Sequence, residues 1–247
     1  MGNYPSRYLA ETEAVKFLCQ AGEKSVASFH KGHSQWQVAL FSWIDGELVK
    51  KPGTSDVQQL IDFIKRLNNY SSLNNAKHLP LASEACLSAS ELLRQISNRL
   101  DKLLNISCIY AELHDFLQAR LLPTFELYQC RTNDVYEMNN YCVDETLPYT
   151  QRILSPSDFG FHNCLRKKSG ELIFIDFEYF GWDDPVKLTA DTILHPGMNM
   201  TSEQKMLFKL AMIDLFSKKD TLFKQRLEIM MPLYVLRWCT IMLNPFL

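Results

Sequence analysis

The stretch LSPSDFGFHNCL, Leu154 to Leu165, leads through a short turn into ELIFIDFEYFGWDDP, Glu171 to Pro185. Asp158 and Asn163 stand five positions apart in a segment that Pro156 and Gly160 keep out of helix. Asp176 closes the apolar run Leu172 to Ile175, and Lys168-Ser169-Gly170 reads as a turn. A hairpin-like return would bring the Asp176 carboxylate back beside the loop. Two carboxylates and an amide oxygen meeting there make a hard-oxygen site suited to Mg²⁺. Phosphoryl transfer asks for such a set: one carboxylate takes a hydroxyl proton, while another and an amide hold metal against phosphates. Asp and Asn in turns also bond their own backbone, so the D-x4-N spacing alone is a weak signal. The apolar strand ending in Asp strengthens it. Neither Ser155 nor Ser157 has a G-x-S-x-G setting, which argues against a serine nucleophile.

The rest of the chain bounds what this element belongs to. Its 247 residues suffice for one large domain or two small lobes, and 47% are hydrophobic, as in a packed globular protein. The net charge is −2, with both signs interspersed, so no basic stripe calls for nucleic acid or an anionic membrane. Seven Cys without metal-type spacing read as reduced, mostly buried thiols of a cytoplasmic protein. The start MGNYPS matches the N-myristoylation pattern, which is short and degenerate and is read as chance.

Hydrophobic periodicity organises the chain. RYLAETEAVKFLCQAG predicts a helix stopped at Gly22, and WQVALFSWI predicts a strand running into the turn Asp45-Gly46-Glu47. Val57, Leu60, Ile61, Ile64 and Leu67 predict a helix capped by Thr54 or Ser55. Further helices are expected over 83–104, 109–121, 202–217 and 222–243, the last broken or kinked at Pro232. The order is helix, strand, helices, a short β pair, helices: an α+β chain dominated by helix.

The loop and strand together resemble the aminoglycoside-phosphotransferase and choline-kinase branch of the protein-kinase-like fold. That family carries H-G-D-x-x-x-x-N and then a strand ending I-D-x-E, where this chain has PSDFGFHN and IDFE. The resemblance implies Asp158 as catalytic base, with Asn163 and Asp176 as Mg²⁺ ligands. GWDDPVKLTAD is similar to the family's G-x-x-x-D-P stretch, which makes Asp191 a structural or substrate-side acid. ETEAVKFLCQAG resembles the N-lobe helix whose Glu pairs with the phosphate-binding Lys, with Glu11 the first choice for that Glu and Glu13 the fallback. ALFSWIDGE resembles the hinge strand, where backbone at Ser42, Trp43 and Ile44 would hold adenine. The implied division is a partial N-lobe over 1–47 and a helical C-lobe over 48–247.

Two positions depart from the family. Pro156 stands where the family has its orienting His, two residues before the base. Only MGNYPS precedes the first helix, and no Lys precedes Lys16, which lies inside it. The expected N-lobe is therefore incomplete, lacking the Gly-rich hairpin and the Lys that grips phosphates, and the chain reads as N-terminally truncated. One charged phosphate contact is often worth a few kcal/mol, so a slow enzyme or none is expected without it.

Among the other residues, His162 is read as a surface or hydrogen-bonding residue and His195, before Pro196-Gly197, as a turn residue. Trp43 and Trp182 are read as packing. Asp183 and Asp184 are left open between attracting a cationic substrate and a solvated turn. Met198, Met200, Met206 and Met212 are read as core filling. The leading expectation is an ATP- and Mg²⁺-dependent kinase of a small-molecule hydroxyl acceptor. A kinase-like binding protein without catalysis is the alternative. A metal-dependent phosphoesterase is more distant, since it predicts no adenine hinge.

Overall fold

The computed structural model describes residues 6–247; apart from Ser6, the myristoylation match lies outside the described residues. The chain forms two compact units. One comprises the chain up to Ala85 together with Tyr149–Asp220, the other Cys86–Pro148 together with Thr221–Leu247.

The first unit opens with α1 (Arg7–Gln20), whose first turn is capped by the Ser6 hydroxyl accepting the Leu9 N–H. Ala14, Val15, Phe17 and Leu18 form its buried face, and Gly22 ends it at φ 85°, a conformation only Gly adopts without strain. Antiparallel β1 (Phe29–His33) and β2 (Val38–Phe41) follow, then β3 (Gly46–Leu48). The expected strand WQVALFSWI is thus shorter than its apolar run. In α2 (Thr54–Tyr70), Val57, Leu60, Ile61, Ile64 and Leu67 are buried as their spacing predicts. Its N-cap is Gly53, not Thr54 or Ser55. The buried Asp56 carboxylate accepts the Gly53 N–H at 2.6 Å and is also gripped by the Arg166 guanidinium, which neither hydroxyl can match.

The second unit begins with α3 (Ala89–Ser107), capped by Ser88, whose hydroxyl accepts the Glu91 N–H. It starts later than expected because Ser83 and Glu84 form a turn, with the Ala82 and Ser83 N–H groups bonded to the Trp182 and Tyr179 carbonyls. After α4 (Ala111–Phe116), residues Leu117–Leu121 form one wide π turn and α5 (Leu122–Met138) continues. The helix expected over 109–121 is therefore two pieces, and α5 itself escaped the periodicity reading.

The chain then returns to the first unit with β4 (Ile153–Ser155), β5 (Cys164–Lys167), β6 (Leu172–Phe174) and β7 (Gly181–Asp183). The expected pairing needs correction. β4 pairs with β7, and the hairpin around Lys168-Ser169-Gly170 is β5 with β6, extended by β3 into a three-stranded sheet. α6 (Pro185–Leu194) and α7 (Ser202–Phe216) complete the unit. Phe63 of α2, fully buried, stacks on Phe174 at 4.2 Å and on Phe159 at 5.7 Å, so one aromatic ring supports both the β6 strand and the loop before β5. In the second unit, α8 (Phe223–Met242) continues through Pro232 without ending there, and it packs against α3 and α5.

Two composition-level readings change. Cys19, Cys108, Cys130 and Cys142 are exposed, so the thiols are not mostly buried, although all seven are free. Met198, Met200 and Met212 are buried, but Met206 lies on the exposed side of α7. Among the described residues no helix is long and apolar enough to cross a membrane.

Candidate active site

The loop between β4 and β5 is held from below. Ser157, at φ 67°, donates its hydroxyl proton to the Ser83 carbonyl at 3.1 Å and accepts from Lys187 Nζ at 3.2 Å. Lys187 is 1% exposed and bonds the Asp183 carboxylate, itself 0% exposed, at 2.8 Å; Asp191 lies 3.5 Å away. Asp183 and Asp191 therefore balance a buried lysine. Asp184, also buried, caps α6 through the Val186 N–H at 2.8 Å. That settles the open reading of the Asp183-Asp184 pair: both are structural, and neither is a solvated turn or an acid facing solvent. Gly160 is needed for close approach, because a Cβ there would fall 2.2 Å from Met198 Sδ and 2.9 Å from the His162 ring.

Strand pairing brings the metal-type residues together. In the β5–β6 register Cys164 faces Phe174, so the preceding Asn163 lies opposite Ile175, whose N–H donates to the Asn163 carbonyl at 3.0 Å. Asp176 is the next residue and sits at φ 64°, a left-handed conformation more accessible to Asp than to most residues. Its pKa is raised, first by burial and then by the neighbouring charges of Glu178 and Asp158. Asn163 Nδ2 donates to the Asp158 carbonyl at 3.0 Å and to Asp158 Oδ2 at 3.2 Å, which leaves the amide oxygen as the atom a metal would meet.

Asp158 has two further neighbours. His162 Nε2 is 2.9 Å from Oδ1, and His195 Nε2 is 3.7 Å from the same oxygen. The His162 hydrogen bond draws the carboxyl below its usual range, against the opposing effect of burial. His162 is thus a hydrogen-bonding residue, as read. His195 does occupy a turn, its Nδ1 accepting the Gly197 N–H at 2.9 Å, but the turn delivers it to Asp158. Nothing in the spacing of the sequence signals that contact.

The residues expected to hold adenine line one cleft of about 480 Å³. Ser42, Trp43 and Ile44 line it together with Asp176 and Glu11, and Val15, Leu165 and Phe174 supply apolar lining. The Ser42 N–H bonds the Ser28 carbonyl at 2.8 Å, and its hydroxyl lies 2.9 Å from His30 Nε2. Trp43 is 91% exposed, so it does not pack in a core, whereas Trp182 is buried with Nε1 donating to the Ala76 carbonyl at 3.0 Å. Glu11 is half-buried among acids. Burial, then Asp176 and Glu178, raise its pKa, and the Phe177 backbone N–H donates to it. Glu13 instead pairs with Lys16 at 2.8 Å on the exposed side of α1.

No protein-family model matches the chain, and no curated protein sequence matches it. Solved structures match along almost its whole length. A spectinomycin phosphotransferase in complex with ADP and spectinomycin aligns at TM-score 0.58 and 9% identity, covering 96% of this chain and 84% of that one. Choline kinase from Cryptosporidium parvum Iowa II aligns at 0.56 and 11%, covering 96% and 72%. An amicoumacin kinase in complex with AMP-PNP, Ca²⁺ and Ami aligns at 0.56 and 15%, covering 96% and 69%. The chain therefore has the protein-kinase-like fold that its loop and strand led us to expect.

Proposed function

We propose that this protein transfers the γ-phosphate of ATP to a hydroxyl of a small molecule, with Asp158 as base and a Mg²⁺ site at Asn163 and Asp176. The observation that carries the reading is the β5–β6 pairing. It sets Asn163 against Ile175, the residue before Asp176, and Asp176 lines the same cleft as Ser42, Trp43 and Ile44. Similarity to kinases solved with ADP or AMP-PNP supports the choice of nucleotide.

The residues fit the metal. The donors are all oxygens, as Mg²⁺ requires, and like-charge crowding at Asp176 is what a cation would relieve. When bound there, Mg²⁺ would neutralise charge on the transferring phosphoryl group. The chain's own residues do the rest. The hinge backbone holds the adenine edge between apolar walls, and Asn163 fixes Asp158 through Oδ2. Asp158, 39% exposed at its side chain and held ionised by its neighbours, takes the acceptor's hydroxyl proton.

One observation favours a second reading, a nucleotide-binding protein that turns over slowly or not at all. Glu11 faces acids where the resemblance implies a lysine, and among the described residues no salt bridge joins it to a basic group. The test separates the two. Mg-ATP should raise the melting temperature of the wild-type chain, and Asp176→Asn should abolish that shift. Radiolabelled γ-phosphate transfer is then assayed with choline, ethanolamine and aminoglycosides. If a product forms, Asp158→Asn should lower its rate by about 10²–10⁴-fold with nucleotide binding retained. Stabilisation by nucleotide without transfer to any acceptor would favour the binding protein. No stabilisation at millimolar Mg-ATP would remove both readings.

A further inference from the structure

Pro156 leaves Asp158 without the orienting imidazole that the resemblance implies two residues upstream, yet two imidazoles reach it from elsewhere. His162 and His195 stack with ring centroids 3.8 Å apart and planes inclined by 6°, both presenting Nε2 to Asp158 Oδ1. The His195 turn packs directly on the loop: Gly160 leaves room for Met198, whose sulfur accepts the Phe161 N–H.

A carboxylate and two imidazoles with ligand atoms within 4.8 Å of one another also describe a candidate transition-metal site. The distal ring nitrogens argue against it. A histidine that binds metal through Nε2 carries its proton on Nδ1 and gives it to an acceptor. His195 Nδ1 instead accepts the Gly197 N–H at 2.9 Å, so in the neutral ring the proton is on Nε2. His162 Nδ1 is buried with no hydrogen-bond partner, so nothing there would hold a proton either. Both rings turn a protonated Nε2 toward one carboxylate oxygen, His162 within hydrogen-bond reach at 2.9 Å and His195 farther off at 3.7 Å.

We propose that His162 and His195 are positioning residues for Asp158, jointly replacing the upstream imidazole whose place Pro156 takes. The His162 Nε2–H donates to Oδ1, the His195 Nε2–H faces the same oxygen from 3.7 Å and backs the His162 ring by stacking, and Asn163 Nδ2 holds Oδ2 from one side. The carboxylate is then fixed in rotation, and the remaining lone pair of Oδ2 faces the acceptor hydroxyl. This assignment rests on the reading of Asp158 as base.

The experiment has two arms. Long-range proton–nitrogen NMR of the wild-type imidazoles should show the Nε2–H tautomer at both histidines, whether or not the protein turns over. In turnover, His162→Ala and His195→Ala should each lower kcat by about 10- to 100-fold with KM for ATP little changed. His162→Gln and His195→Gln, which keep a side-chain N–H near the Nε2 position, should recover most of that loss. Equal loss in the Ala and Gln variants with a lowered melting temperature would mean a structural role and overturn the proposal. So would an Nδ1–H tautomer at His195, or one equivalent of Zn²⁺ bound by the wild type and lost in either Ala variant. If the wild type transfers no phosphate but shows both Nε2–H tautomers, the phosphotransferase reading fails while the orientation of Asp158 stands.

Discussion

Replacing Lys187 with Met should be among the most damaging single changes outside the loop itself. Lys187 and Asp183 are 1% and 0% exposed and bond at 2.8 Å, so Lys187→Met leaves a carboxylate buried without its counter-charge. Breaking a buried pair from one side costs about 3–5 kcal/mol. At about 2–4 °C per kcal/mol for a chain of this size, the melting temperature should fall by about 6–20 °C. The Ser157 hydroxyl also loses its donor, which frees a residue held at φ 67° immediately before Asp158. The double variant Lys187→Met with Asp183→Asn should be more stable than the single one. Its amide oxygen can still accept the Asp184 N–H, now 2.8 Å from Oδ1, and of the two carboxylates facing Lys187 only Asp191 keeps its charge. Urea unfolding monitored by tryptophan emission suits the measurement, since Trp182 is buried on β7 next to Asp183. A single variant within about 1 kcal/mol of wild type, or a double variant less stable than the single, would refute the assignment of Lys187 as a buried counter-ion.

Three further outcomes follow from other contacts. Burial alone would raise the Glu23 pKa, but hydrogen bonds from Arg66 and Ser25 outweigh it and hold the group below its ordinary 4.5. Its contribution to stability is therefore present above that value and lost as pH falls through the folded pKa. Acid unfolding of Arg66→Met should lack this component. Gly160→Ala should destabilise by about 1–3 kcal/mol in urea, because its Cβ collides with Met198 and His162, and adding Met198→Ala should relieve much of it. Trp43, 91% exposed at the rim of the cleft, should change its emission on titration with Mg-ATP, and Trp43→Phe should remove that signal while leaving the nucleotide's thermal stabilisation in place.

Legibility followed the range of the interactions involved. That the chain brings Asp158, Asn163 and the Asp176 end of β6 near one another could be read because a short loop and one hairpin turn fix their separation, whatever the rest of the chain does. The buried face of α2 was equally plain, its five apolar positions repeating at helical spacing. β5 was hidden because Cys164-Leu165-Arg166-Lys167 has no alternation, and its strand state comes from pairing on both sides with β3 and β6. His195 was hidden for a different reason: a tertiary contact delivers it, and a His-Pro-Gly turn looks the same wherever it docks. The Asp56–Arg166 pair that displaced the expected α2 cap is likewise a contact between distant segments. Trp43 was misjudged because hydrophobicity predicts burial only when an element lies above the side chain.

The three-stranded sheet has a geometric corollary. Gly46, where the proposed hinge segment enters β3, pairs with Lys167, while the opposite end of β5 is Cys164, next to Asn163, with Asp176 beyond the adjacent end of β6. The proposed hinge and the proposed metal ligands therefore flank one ladder, separated by three residues or about 10 Å of extended strand. Such a ladder behaves as a gauge of fixed length. On the proposed reading a nucleotide would have to match its span instead of drawing its two ends together, so shortening the phosphate chain should cost contacts at one end that the sheet cannot move to restore.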